Sequence, residues 1–206
     1  MNTADQLQPR KSPAQERSQR MVGILLEATT RVLIADGYDA ASTNRIAKAA
    51  GVSVGSLYQY FPNKEALVLA LAQQHANRMV ELLARSAAEV GMAPIEEAVP
   101  LFVRGMFAAH QVEPELHLAL TQQVLHVGLG PFEEFQHAGV EMVKAWLSLH
   151  RERVVPTDLD SAAWLCVTTV DAVVHGAVLE RDFRRLADPA IERELCAMLL
   201  RYLIGG

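Results

Sequence analysis

The sequence has few cysteines, few aromatic residues and a low share of charged residues. Two cysteines in 206 residues, with no Cys-x-x-Cys pair, exclude a disulfide scaffold and a zinc ribbon. Charged residues make up 21% of the chain and hydrophobic residues 50%, which excludes a disordered protein. Nine prolines and twelve glycines are too few for a collagen-like or low-complexity architecture. The composition therefore predicts a globular protein with one large domain or two small ones.

The sequence also lacks a recognisable targeting segment. The first fifteen residues are polar and contain no apolar run, unlike a secretory signal. The most apolar stretch, Ala162–Leu179, is interrupted by Asp171 and His175 and has no flanking basic clusters. Cys166 and Cys196 are expected to be free, buried thiols. These features predict a soluble protein of the reducing cytoplasm.

A net charge of −5 argues at first against a nucleic-acid partner. The charge is, however, unevenly distributed along the chain. Residues 1–64 contain eight Lys and Arg against five Asp and Glu, a net charge of +3. Residues 65–206 contain eleven basic and nineteen acidic residues, a net charge of −8. A basic head on an acidic body is one pattern of nucleic-acid-binding proteins.

Apolar residues recur at helical spacing along most of the chain, and no strand-like alternation stands out. Gly37 is expected to end the first helix with a positive φ, and Thr43, Ser53 and Asn63 are expected to cap the next three. Thr157 with Asp160 resembles a capping box before the eighth helix. The prediction is an all-α fold of about nine helices: Arg17–Ala35, Thr43–Ala50, Ser53–Pro62, Asn63–Glu89, Pro94–Val112 kinked at Pro100, Glu113–Val127, Phe132–Arg153, Asp158–Glu180 and, after an Asp188-Pro189 start, Ala190–Ile204.

Residues 43–62 have the spacing of a helix-turn-helix. Ala47 is small at the point where two short helices would cross, and Gly51 can reverse the chain between them. The apolar positions that would hold the pair against the first helix are Ile46, Ala50, Val52, Leu57 and Tyr60. An ordinary helical hairpin can share this spacing, so the local positive charge is needed to favour the DNA-binding interpretation.

The second helix of this pair would present small, hydroxyl and amide side chains, which suit the major groove of DNA. These outward residues are Val54, Gly55, Ser56, Tyr58 and Gln59. At its end, Tyr58, Tyr60 and Lys64 form a cluster suited to phosphate oxygens.

The segment resembles the DNA-binding domain of TetR-family transcriptional regulators over roughly Arg17–Leu67. The resemblance is carried by Thr43-x-x-Ile46-Ala47, Ala50-Gly51-Val52-Ser53, Gly55-Ser56-Leu57-Tyr58-Gln59-Tyr60-Phe61 and Asn63-Lys64-Glu65-Ala66-Leu67. It implies a homodimeric repressor that a small molecule, bound in the C-terminal domain, releases from a palindromic double-stranded DNA operator.

The resemblance also implies roles for individual residues. Thr43 would contact a phosphate while capping its helix, and Asn44 and Arg45 would contact a base or a phosphate. Val54, Gly55, Ser56 and Gln59 would read bases. The full predicted DNA-contacting set is Thr43, Asn44, Arg45, Ser53, Val54, Gly55, Ser56, Tyr58, Gln59, Tyr60 and Lys64. Arg10 and Lys11 lie in an N-terminal arm that could enter a minor groove or remain a solvated tail.

The predicted organisation has three parts: an arm over residues 1–15, a helix-turn-helix domain over 16–62 and an effector-binding and dimerisation domain over 63–206. The eighth and ninth helices are rich in apolar and small residues, which suits a four-helix dimer interface. The predicted interface residues are Val170, Val173, Gly176, Ala177, Leu195, Leu199 and Tyr202.

An effector pocket is predicted between the fourth helix and those after it, for an apolar or aromatic molecule. Its predicted lining is Phe102, Met106, Phe107, His110, Leu120, Met142 and Trp146.

Seven histidines leave an all-helical enzyme or a metal-binding protein as an alternative. No zinc-protease, P-loop, nucleophile-elbow or dinucleotide motif supports it. Asp171 and His175, four residues apart, are expected to pair with each other. The sequence therefore predicts no catalytic residue, metal or cofactor. An activator, or a regulator without a ligand, remains open as well.

Overall fold

The computed structural model describes residues 16–91, 93–127 and 130–205, and this part of the chain is helical without strands. The predicted all-α class is confirmed. The helices are α1 (Glu16–Ala40), α2 (Thr43–Ala50), α3 (Val54–Tyr58), α4 (Lys64–Val90), α5 (Ile95–Gln111), α6 (Pro114–Val127), α7 (Gly130–Leu149), α8 (Leu159–Leu179) and α9 (Pro189–Ile204). A short 3₁₀ helix over Phe183–Ala187, which the sequence did not predict, precedes α9. The predicted arm, with Arg10 and Lys11, lies outside the described residues.

Several helix ends follow the local rules of the sequence. Gly37 has a φ of 73° and a ψ of 174°, which breaks the helical path of α1 before a last turn that reaches Ala40. The side chain of Asn63 accepts a hydrogen bond from the Ala66 amide at the start of α4. Asp188 caps α9 in the same way, with Pro189 as its first residue.

Two predicted caps are wrong by one residue. Ser42, not Thr43, is the N-cap of α2, and its hydroxyl accepts a hydrogen bond from the Arg45 amide. Asp158, not Thr157, caps α8 and accepts from the amides of Asp160 and Ser161. In both places two neighbouring residues are good caps, so composition alone does not fix the start of the helix.

The chain forms two compact units that divide α4 between its residues His75 and Ala76. Within the described residues, the first unit falls in Met1–His75 and Glu115–Leu129, and the second in Ala76–Pro114 and Gly130–Gly206. In the first unit α2 packs against α1 and α3. Its core contains fully buried side chains from α1 to α4 and from the α3–α4 connection: Leu25, Ile46, Ala47, Leu57, Phe61 and Leu67.

The second unit is built around α5 and α8, which pack against each other, with α9 on both and α7 on α8. Gly105 of α5 faces α4 closely, since a Cβ there would lie 2.7 Å from the hydroxyl oxygen of Ser86. Ion pairs join Arg104 to Glu192 and Arg153 to Glu96. Among the described helices, α8 alone is long and apolar enough to cross a bilayer, but core helices meet the same criterion.

Candidate nucleic-acid interface and ligand cavity

The helix-turn-helix is fixed by residues that the sequence identifies. Gly51 ends α2 with a φ of 70° and a ψ of 27°, a conformation that glycine adopts without strain. Ser53 caps α3, and its hydroxyl accepts a hydrogen bond from the Ser56 amide at 3.0 Å. Leu57 is fully buried and anchors α3 to the core. The predicted caps and turn around α3 are therefore confirmed, although α3 ends at Tyr58, before Pro62.

The remaining side chains of α3 and its flanks form an outward face. Gly55, Gln59 and Tyr58 are exposed, whereas Val54, Ser56 and Tyr60 are half-buried. The Ser53 and Ser56 hydroxyls share a hydrogen bond of 2.8 Å. A Cβ on Gly55 would meet nothing nearer than the Ser53 hydroxyl at 3.8 Å, so packing within the protein does not require glycine there.

Thr43 and Tyr58 join the start of α2 to the end of α3. Their hydroxyl oxygens are 3.1 Å apart and share a hydrogen bond. Tyr58 is 40% exposed, so its hydroxyl and that of Thr43 lie at the surface beside each other. The structure thus brings together two residues that are fifteen positions apart in the sequence.

The two predicted basic contacts are both held by α1. The Arg45 guanidinium forms an ion pair of 2.9 Å with Asp36, while its neighbour Asn44 is exposed. The Lys64 ammonium donates a hydrogen bond of 2.9 Å to the backbone carbonyl of Tyr38 and lies 3.8 Å from the centre of its ring.

Tyr38 is a buried residue of this region that the sequence analysis did not single out. Its hydroxyl donates a hydrogen bond of 3.2 Å to Glu65. Burial, followed by the charge of Glu65, raises the pKa of Tyr38 to about 12, so it remains a neutral donor. The sequence gives only a weak indication that Tyr38 is buried, because a tyrosine that follows a helix-ending glycine is often exposed.

A cavity of about 130 Å³ lies inside the second unit. Its lining comes from α4, α5, α7, α8 and α9: Leu83, Ser86, Ala98, Val99, Phe102, Met142, Val143, Trp146, Leu147, Cys166, Leu199 and Leu203. Phe102, Met142 and Trp146 belong to the predicted pocket. Met106, Phe107 and His110 are buried in the same unit outside this lining, and Leu120 is buried in the first unit. The sequence did not predict the other nine lining residues, Ser86 and Cys166 among them, because distant helices bring them together.

The few polar groups at the cavity are neutral. Burial raises the pKa of the Cys166 thiol to about 11, so it stays protonated near neutral pH. The Ser86 hydroxyl donates a hydrogen bond of 3.3 Å to the carbonyl of Leu82. The indole nitrogen of Trp146 is buried and has no hydrogen-bond partner among the described residues.

Histidine side chains form close pairs within each unit. In the first unit, His75 Nε2 and His117 Nδ1 are 3.0 Å apart. In the second, the rings of His110 and His175 are 5.6 Å apart, and His175 Nδ1 lies 3.1 Å from an Asp171 carboxylate oxygen. The expected pairing of Asp171 with His175 is confirmed.

The helices predicted to form a dimer have buried and exposed apolar residues. Val170, Ala177, Leu195 and Leu199 are buried within the protomer, and Val173 and Gly176 are half-buried. Tyr202 is exposed. Four other large apolar side chains of α8 and α9 are also exposed to solvent: Trp164, Leu165, Leu179 and Met198.

Both parts of the chain match known protein families. Residues 25–71 match the family of bacterial regulatory proteins called the tetR family, and residues 94–203 match the tetracyclin repressor-like C-terminal domain. The chain is 28% identical to the HTH-type transcriptional regulator LmrA of Bacillus subtilis, over 84% of this chain and 92% of LmrA. It is 37% identical to the HTH-type transcriptional repressor AcnR of Corynebacterium glutamicum, over 30% of this chain and 33% of AcnR.

Solved structures show the same fold. The regulator FadR of Bacillus subtilis, solved in complex with stearoyl-CoA, superposes with a TM-score of 0.69 at 20% identity, over 87% of this chain and 98% of FadR. The helix-turn-helix geometry and both family matches exclude the enzyme alternative. The chain belongs to the TetR family, and it is a DNA-binding transcriptional regulator rather than an enzyme.

Proposed function

We propose that this protein is a homodimeric repressor that binds a palindromic operator through α3 and releases it when a small molecule occupies the cavity of the second unit. The observation that carries this proposal is that one helix, α4, contains both Lys64 beside the helix-turn-helix and the cavity residues Leu83 and Ser86. The proposal places the protein in the cytoplasm, where DNA is available and Cys166 and Cys196 remain reduced.

In this proposal the outward face of α3 enters a major groove. Gln59 is exposed and its amide can pair with a base edge, while Val54 can contact a thymine methyl group. The open space at Gly55 allows the helix to approach the bases closely. Ser53 and Ser56 flank this reading surface.

The phosphate contacts surround that surface. The paired hydroxyls of Thr43 and Tyr58 can hydrogen-bond one phosphate, and the half-buried Tyr60 could contact another. Asn44 and Arg45 are exposed at the start of α2. The Lys64 ammonium uses one of its three N–H groups on Tyr38 and can offer the others to a phosphate.

The dimer forms through the apolar surface of α8 and α9 that the protomer leaves exposed or half-buried. Leu165, Val173 and Gly176 lie at helical intervals on α8, and Met198 and Tyr202 do so on α9. Burial of this surface against a second copy would remove apolar area from water. The dimer then presents two copies of α3, which must lie about 34–36 Å apart to enter successive major grooves.

Occupation of the cavity would shift α4 and change that spacing, so effector and operator compete through conformation. The FadR structure with stearoyl-CoA supports a ligand-responsive mechanism in a protein of this fold. An activator would bind the same DNA face, and a transcription assay distinguishes the two.

The proposal is tested by selecting bound DNA from a random pool with the full chain. Enrichment of a two-fold symmetric sequence supports a dimeric operator, and enrichment of none would overturn the proposal. Gly55→Ala is the sharpest variant, because the fold tolerates a Cβ there, and we expect normal thermal unfolding but weaker operator binding. Transcription in vitro from a promoter carrying the selected site should fall on addition of protein, whereas a rise would identify an activator.

A further inference from the structure

The lining of the cavity restricts the ligands that it can accept. Ten of the twelve lining residues are apolar, the others are Ser86 and Cys166, and none carries a charge. An ion in such a cavity would lose its hydration without gaining a counter-charge, which is strongly unfavourable. The chemistry of the lining therefore selects an uncharged molecule.

The volume of the cavity restricts the size of the ligand. At about 130 Å³ it is close to engineered cavities of roughly 150 Å³ that bind benzene. Ligand pockets for drug-sized molecules are several times larger, about 300–1,000 Å³. A single ring with a small substituent fits this space, whereas an acyl-CoA such as the one bound to the similar FadR exceeds it.

One lining residue, Trp146, has a polar group without a hydrogen-bond partner among the described residues. The Trp146 indole N–H can only donate, and it is buried without an acceptor among the described residues. A buried donor without a partner is costly, so a ligand that supplies an acceptor gains affinity over one that does not. The Ser86 hydroxyl already donates its hydrogen bond to the carbonyl of Leu82.

We propose that the cavity takes a compact, uncharged, one-ring molecule that bears one hydrogen-bond acceptor, and that Trp146 selects for the acceptor. This inference rests on the proposed function because it treats the cavity as the effector site. It adds the class of the effector and a residue that determines specificity.

Three probes of similar shape test the class of ligand by calorimetry on the full chain at neutral pH. Acetophenone is neutral with an acceptor, α-methylstyrene is neutral without one, and benzoate is an anion. We expect acetophenone to bind about tenfold more tightly than α-methylstyrene, the effect of one satisfied hydrogen bond, and benzoate not to saturate. Benzoate binding as tight as that of acetophenone, or no saturable acetophenone binding at millimolar concentration, would overturn the inference.

Trp146→Phe tests the selecting residue, because it removes the N–H and keeps an aromatic ring. The preference for acetophenone over α-methylstyrene should fall from about tenfold to none, so that both probes bind with equal affinity. Trp164→Phe is the matched control, since Trp164 is 53% exposed and outside the lining, and it should keep the preference. An unchanged preference in Trp146→Phe would remove Trp146 from this role.

Ala98→Leu gives a second variant, since it fills the cavity instead of changing its polarity. Both neutral probes should lose at least about tenfold in affinity, and thermal unfolding shows whether the variant is folded. Binding of the probes to folded Ala98→Leu as tightly as to the native chain would place the site elsewhere and overturn the inference.

Operator binding is measured separately, so that this inference and the proposed function can fail independently. If acetophenone binds in the cavity and operator affinity does not change, coupling between effector and DNA is wrong and the ligand class stands. If an anion such as benzoate releases the operator and acetophenone does not, the ligand class is wrong and the effector-released mechanism stands.

Discussion

The ammonium group of Lys64 donates a hydrogen bond to the backbone carbonyl of Tyr38 at 2.9 Å and lies 3.8 Å from the centre of the Tyr38 ring. This contact ties the first residue of α4 to the residue after the Gly37 break in α1. A side chain expected from sequence to contact DNA therefore also holds the DNA-binding domain together.

Lys64→Met keeps most of the aliphatic stem and removes the ammonium. We expect the free energy of unfolding to fall by about 1–2 kcal/mol, from the lost charged hydrogen bond and cation–π contact. All operator sequences should weaken alike, and the slope of log affinity against log salt should decrease by about 0.9 per subunit. Urea denaturation and salt titrations of operator binding measure both effects. Lys48→Ala, on the exposed side of α2, is the control and should leave stability unchanged.

Ser42→Ala tests the corrected start of α2. Loss of the cap should lower the free energy of unfolding by about 1 kcal/mol, because the Arg45 amide loses its acceptor. Thr43→Ala should change the stability much less, since Thr43 shares only the exposed hydrogen bond with Tyr58. Equal stability losses in both variants, measured by urea denaturation, would show that Thr43 shares the capping role.

Gln59→Ala should change base preference rather than overall affinity. The exposed amide of Gln59, directly after α3, can form two hydrogen bonds to adenine, and its loss should cost about 1–3 kcal/mol at one base position only. The measurement is a comparison of operator variants, one base pair at a time. Gln122→Ala, an exposed amide on α6, is the control. A uniform loss over all variants would remove Gln59 from the base-reading residues.

Met198→Glu should separate the proposed dimer, because it places a carboxylate on the exposed apolar surface of α9. Met198 is 47% exposed in the protomer, so the folded monomer accommodates the change. Sedimentation at micromolar concentration should show monomers, and operator affinity should fall with dimer formation. Leu149→Glu is a matched control, since Leu149 is 65% exposed at the end of α7 and should remain dimeric.

The Asp171–His175 pair predicts a pH dependence of stability. Burial lowers the pKa of His175, but the hydrogen bond and charge of Asp171 outweigh it and raise the pKa above its ordinary value. This contribution is fully present below the pKa of the unfolded chain, about 6.5, and is lost as the pH rises through the folded value. Urea denaturation should therefore show a larger difference in the free energy of unfolding between the native chain and Asp171→Asn at about pH 5.5 than at pH 8. His137→Gln, an exposed histidine on α7, should leave the difference between the two pH values as it is.

Local rules were enough to predict the helix-turn-helix. Gly51, Ser53 and Asn63 each act on their own turn, so their roles follow from residue type and position. The contacts of Lys64 and Arg45 with α1 could not be predicted, because they depend on how distant helices meet. Tyr38 was missed for the same reason.

The second unit was less predictable because its helices are apolar on several sides. On α8, Val170 is buried and Leu165 is exposed, yet both are aliphatic and no periodicity separates them. The cavity lining was only partly foreseen, since Ser86 and Cys166 become neighbours of Phe102 and Trp146 through packing alone. Chemistry near one turn can be inferred from sequence, whereas a shared surface of five helices requires the structure.

The close approach of Ser86 to Gly105 has a mechanical consequence for α4. The Ser86 hydroxymethyl group occupies the space that a side chain at position 105 of α5 would fill. A Cβ at position 105 would lie 2.7 Å from the Ser86 hydroxyl oxygen, which is too close for either group to stay in place. The size of the residue at position 105 therefore sets how closely α4 and α5 can approach beside the cavity.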